Sequence, residues 1–145
     1  MYEHILVPTD DVESMTPVFE HAAAITAGRD ATVHVLYAVD KRAFLTLDDS
    51  MKDDVERQLT ERGDETVAAA AERLREAGVD VVTECRSGDP SDVILDYAAE
   101  ADVDLVVMGT RRGDYEQNML GSVSRTVAGS ASVPVLTVNV ADAGE

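Results

Sequence analysis

The chain has 145 residues, and its 29 Asp and Glu outnumber 12 Lys and Arg, for a formal net charge of −17. So acidic a surface repels nucleic acid and anionic membranes, and no apolar run is as long as a membrane span. A single cysteine, Cys85, excludes an internal disulfide and reads as a small buried hydrophobe.

The first apolar run, Ile5, Leu6 and Val7, is ended by Pro8-Thr9-Asp10-Asp11 and predicts a buried strand that emits a polar turn. A helix is expected from Ser14 to Pro17 onward, with Ser14 or Thr16 as cap and proline at the first helical position. Phe19, Ala22, Ala23 and Ile25 form its apolar face, and Gly28 suits its carboxyl cap. Thr32 to Val39 predicts a second strand. Asp40 to Ser50 reads as an acidic loop, with Phe44, Leu45 and Leu47 as a small hydrophobic flap.

Val55, Leu59, Val67, Ala70 and Leu74 recur at helical spacing as far as Ala77-Gly78, with Gly63 a weak point inside. Val79 to Cys85 predicts a third strand. Asp89-Pro90-Ser91-Asp92 then combines a cap, a proline at the first position and an acid in the first turn. Val93, Ile94, Tyr97 and Ala98 are the buried face of that helix. Val103 to Met108 predicts a fourth strand ended by Gly109, and Gly121-Ser122-Val123-Ser124 opens a fourth helix. Val133 to Val138 predicts the fifth strand, and 141–145 a frayed tail after one domain spanning 1–140.

Strand and helix alternate with short connections, which predicts an α/β fold: an open five-stranded parallel sheet with helices on both faces and right-handed crossovers. Ligands of such sheets bind beyond the carboxyl ends of the strands, where strand order reverses. Thr9-Asp10, Ala38-Val39 and Gly109 are thereby brought to one crevice. The stretch from Val103 to Ser124 has the order strand, glycine loop, helix amino-terminus. That order suits phosphate, because the first amides of a helix lack internal partners and carry partial positive charge. An ordinary strand-to-helix connection with glycines in its turns is the alternative.

The opening ILVPTD, the second strand HVLYAVD, the segment GDPSDVILDYAAEADVDLVVMGT and the ending LGSVSRTVAGSASVPVLTV together resemble the universal stress protein family, over essentially the whole chain. The resemblance implies a Rossmann-like sheet of the adenine nucleotide alpha hydrolase-like kind, a homodimer through the last strand (Val133 to Val138) and binding of ATP or another adenine nucleotide, with Mg²⁺ as a possible companion. By that resemblance Pro8, Thr9 and Asp10 match the adenine and ribose-edge residues. Ala38, followed by Val39, matches the backbone that meets adenine. Met108 and Gly109 match the start of the phosphate loop, and Gly121, Ser122, Val123 and Ser124 its end.

The middle of the phosphate loop departs from the family pattern of Gly, two residues, Gly, nine residues, Gly, then Ser or Thr. Arg112 stands where the second glycine belongs, Gly113 comes one place late, and the loop to Gly121 is one residue short. Asp11-Val12 replaces the glycine-and-serine signature after Asp10. Arg111 and Arg112 have two readings, charge-assisted bonds to a nucleotide or pairing with surface carboxylates.

Other chemistries find little support. A phosphoacceptor role for Asp10 lacks an Asp at the end of the third strand and a Lys at the end of the fifth. His4, His21 and His34 fall at unrelated places, with His34 read as core or packed surface. No nucleophile elbow or Ser, His, Asp set is apparent. A small ATPase would need a carboxylate near Mg²⁺, for which Asp10 and Asp114 are the candidates. The leading expectation is a dimeric, cytoplasmic nucleotide-binding stress protein with little or no catalysis; the alternative is an interaction dimer of the same fold without nucleotide. The lysine-poor, aspartate-rich composition suits a high-salt cytoplasm, where salt screens self-repulsion.

Overall fold

The computed structural model describes residues 2–10, 12–40, 48–110 and 119–140. In chain order the elements are β1 (His4–Pro8), α1 (Thr16–Thr26), β2 (Thr32–Val39), α2 (Asp49–Glu76), β3 (Asp80–Ser87), α3 (Pro90–Glu100), β4 (Leu105–Thr110), α4 (Met119–Ser130) and β5 (Val135–Asn139). The strands form one sheet in the order β3-β2-β1-β4-β5, and every neighbouring pair is parallel. The expected fold class is the one observed.

The period of two along each strand divides the core into two layers. Ile5 and Val7 of β1, Val33, Val35, Tyr37 and Val39 of β2, and Leu105 and Val107 of β4 face α1 and α2. Leu6, Leu36, Val106 and Met108 face α3 and α4. The three central strands are therefore apolar at successive positions, because both of their faces are covered. The outer strands β3 and β5 are far more exposed, as edges of an open sheet. Among the described residues no helix is long and apolar enough to cross a membrane.

The helix starts follow local chemistry. At α3 the Asp89 carboxylate accepts from the Ser91 and Asp92 amides at 3.0 and 3.3 Å, and Pro90 takes the first turn. At α2 Asp48 accepts from the Met51 amide at 3.1 Å, so the helix begins at Asp49, inside the stretch expected as loop. At α1 neither Ser14 nor Thr16 is the cap. Met15 holds that place, buried in the core and without a side-chain cap bond, while the Thr16 hydroxyl donates back to the Glu13 carbonyl. Burial of Met15 sets the entry to this helix in place of capping. Gly28 lies just past its end at φ +72°, a backbone state that glycine tolerates.

Two further expectations are corrected. Gly63 does not weaken α2, which runs unbroken over 28 residues. A Cβ at Gly63 would stand 2.6 Å from Tyr37 Cδ1 and 2.7 Å from Cys85 Sγ, so glycine is what lets α2 lie this close to β2 and β3. Gly109 does not end β4. It pairs with Val138, and the strand continues to Thr110 opposite Asn139. The flap residues Phe44, Leu45 and Leu47 and the tail 141–145 lie outside the described residues.

Candidate functional site

The first half of the chain builds the sheet outward from β1 through β2 to β3. The chain then crosses back through α3 to β4 on the other side of β1, so strand order reverses between β1 and β4. A crevice opens there at the carboxyl ends of the strands. Pro8, Thr9 and Asp10 form one wall, Leu36, Tyr37 and Ala38 of β2 another. Pro90 and Ile94 of α3, Met108 of β4 and Val123 of α4 complete it.

Most of this lining is apolar. Leu36 and Met108 are fully buried, and Ile94 and Val123 nearly so. The polar end belongs to the turn after β1. The Thr9 amide donates to the Leu36 carbonyl at 2.8 Å, extending the β1–β2 ladder by one bond, and the Thr9 hydroxyl donates to the Val7 carbonyl at 3.2 Å. Those two bonds fix the turn and put Asp10 at the exposed mouth. The Tyr37 side chain lies in the opposite layer against α2, where burial, and then the nearby Asp10 charge, push its phenol above its usual value; Arg62 opposes this. The arrangement is a largely apolar crevice with a carboxylate at its entrance.

Of the residues singled out in the sequence, Pro8, Thr9, Asp10, Ala38, Met108 and Val123 meet in this crevice. Val39 does not. Its side chain belongs to the opposite layer with α1 and α2, because alternation turns it away from Ala38, and its carbonyl accepts from the Gly88 amide. Gly109 is engaged in the β4–β5 ladder. Helix α4 starts at Met119, so Gly121 and Ser122 lie in its first turn and not ahead of it; Ser124 is buried. Arg111, Arg112, Gly113 and Asp114 lie outside the described residues.

Sequence reasoning missed Leu36, Tyr37, Pro90 and Ile94 as lining. Leu36 stands two residues before Ala38 on the same face, a signal that was available. Pro90 and Ile94 reach the crevice only because α3 crosses the sheet from β3 to β4, which is a property of topology.

Two of the three histidines, His4 and His34, come together, and His34 is packed in the core as expected. His4 Nδ1 lies 3.2 Å from His34 Nε2, and His34 Nδ1 lies 2.7 Å from the Tyr97 hydroxyl. The register His4↔Thr32 and Leu6↔His34 places both side chains on the α3 side of the sheet. Among the described residues no group of three His, Cys, Asp or Glu side chains is arranged to hold a metal ion.

The sequence model described as the Universal stress protein family matches residues 1–139. A universal stress protein of Methanothermobacter thermautotrophicus is 37% identical over 130 residues, covering 88% of each chain. The solved structure of the hypothetical protein MJ0577 superposes with a TM-score of 0.83 at 26% identity, covering 96% of each chain. A universal stress protein crystallised in complex with cAMP shares the fold, with a TM-score of 0.72 at 23% identity over 96% of this chain and 98% of that one.

Proposed function

The chain belongs to the universal stress protein family, and from that membership we propose that it is an adenine-nucleotide-binding stress-response protein with little or no catalysis. The observation that carries this reading is the crevice at the β1/β4 reversal. Its residues fit the group. Leu36, Ile94, Met108 and Val123 suit the faces of a purine, and the Asp10 carboxylate suits the two hydroxyls of a ribose. The first turn of α4, which carries Gly121 and Ser122, supplies amide donors of the kind that take phosphate oxygens. ATP would bring Mg²⁺ with it. A fold relative crystallised with cAMP is consistent with this reading.

The protein also acts, in this reading, as a homodimer through β5. That strand is the free edge of the sheet beyond β4 and leaves Leu136 38% exposed. A second reading, an interaction dimer that has lost its nucleotide, is favoured by Arg112 standing where the family's second glycine belongs.

Calorimetric titration with ATP, ADP and AMP separates the two readings, alongside denaturation of protein purified without added nucleotide and mass identification of anything released. The nucleotide reading expects saturable binding, weakened at least about tenfold in Asp10→Ala, since a hydrogen bond to a charged group is worth about 1.5–3 kcal/mol. No binding of any of the three, and nothing released, would leave the interaction dimer as the surviving account.

A further inference from the structure

His34 is a titratable group held inside the molecule, 8% exposed, on the face of β2 that α3 covers. Its ring bridges two others. Nε2 faces His4 Nδ1 at 3.2 Å and Nδ1 faces the Tyr97 hydroxyl at 2.7 Å, so one line of hydrogen bonds runs from β1 through β2 to α3. With both imidazoles neutral, each link holds one proton and every donor meets an acceptor. Once both rings are protonated, an N–H faces an N–H across 3.2 Å, and the half-exposed His4 ring can turn away. The His34 imidazolium then stays buried unless Tyr97, seated on its other nitrogen, moves with α3.

The charges around this line are already engaged. Asp104 Oδ2 accepts from the Glu3 and His4 amides at 2.8 and 3.0 Å. Glu84 and Glu100 hold Arg86 at 2.9 and 2.8 Å, and that guanidinium lies 4.9 Å over the Tyr97 ring. Leu6, Leu36, Val93 and Val103 supply apolar packing in the same layer. Among the described residues an imidazolium formed at His34 therefore meets no carboxylate placed to receive it, and a second positive ring beside it.

We infer that the His4–His34–Tyr97 line is a proton-sensing latch that holds α3 to the sheet near neutral pH and releases it in mild acid. Burial and then the neighbouring His4 lower the proton affinity of His34 in the folded chain. The sign follows from linkage. A base whose folded value lies below its free value stabilises the fold fully above the free value of about 6.5, and that stability is lost as pH falls toward the folded value. Tyr97 sits one turn after Ile94 and two after Pro90, so the helix that the latch holds is also a wall of the crevice. The latch concerns α3 itself, whatever the crevice contains.

Amide hydrogen exchange on the full chain tests this between pH 7.5 and 5, with rates corrected for intrinsic exchange. Protection at 93–98 in α3 is expected to fall below pH 6.5 by up to about tenfold per pH unit, the slope of one linked proton. Protection at 67–74 in α2 is expected to stay level. His34→Gln should remove the fall. His4→Gln, at a half-exposed position, keeps the packing, removes the second positive charge and should shrink the fall. A loss of protection shared equally by α2 and α3 would overturn the latch, as would a wild-type fall that persists in both variants.

Discussion

Substitution of Gly63 by alanine sets two effects of opposite sign against each other. In the interior of a long helix, alanine is favoured over glycine by about 1 kcal/mol, so propensity alone predicts a more stable protein. Packing predicts the reverse. The new Cβ would lie 2.6 Å from Tyr37 Cδ1 and 2.7 Å from Cys85 Sγ, well inside the 3.4 Å at which ordinary contact begins. The cysteine sulfur can rotate away, but the Tyr37 ring is buried between β2 and α2, so α2 itself must lift. Overpacking of a close-packed core costs about 1–3 kcal/mol, with the upper part of that range expected where a buried ring cannot yield. The net expectation is a loss of about 1–2 kcal/mol for Gly63→Ala. Gly129→Ala in α4 is the matched control. Nothing lies within 4 Å of its Cβ, so propensity acts alone and a gain of about 0.5–1 kcal/mol is expected. Urea denaturation, read as the shift in midpoint at constant slope, measures both. A gain in stability for Gly63→Ala equal to that of Gly129→Ala would refute the close-approach account of α2.

The Asp104 carboxyl is held below its usual value, chiefly by the His4 and Glu3 amides that donate to it. A carboxylate so held stabilises the fold above its usual value of 3.8, and that contribution is lost as pH falls through the folded value. Asp104→Asn should therefore be less stable than wild type at pH 5, with the gap closing toward pH 3; a gap constant across that range contradicts the assignment. Net charge of −17 predicts that the melting temperature rises with KCl, because the screening length shrinks from about 10 Å at 0.1 M to about 3 Å at 1 M. A melting temperature indifferent to KCl over that range would count against an acidic surface tuned to high salt.

The alternation of apolar runs with capped helical patterns was legible from the chain, and with it the five strands, the four helices and their order. Those signals are local. Asp89-Pro90 marks a helix start through its own amides and ring, and Ile5, Leu6 and Val7 mark a doubly covered strand by lacking a polar face. Misreadings occurred where a distant partner overrides the local rule. Gly63 reads as a weak point in its helix when the packing of β2 and β3 against it is left out, and Gly109 reads as a strand end without its partner Val138.

The crevice divides in the same way. Thr9 and Asp10 stand just beyond the carboxyl end of β1, and the rule that sheets bind ligands there is enough to find them, whereas Pro8 and Met108 follow from the family resemblance. Pro90 and Ile94 become lining only because α3 crosses from one edge of the sheet to beyond its centre. His4 and His34, thirty positions apart, meet because β1 and β2 pair in one register and not in the next, which would turn one of the two rings to the other layer. Composition and periodicity determine which segments are strands and helices, since those depend on neighbours three or four residues away. Which side chains meet depends on strand order and register, and these are decided only when the whole core is assembled.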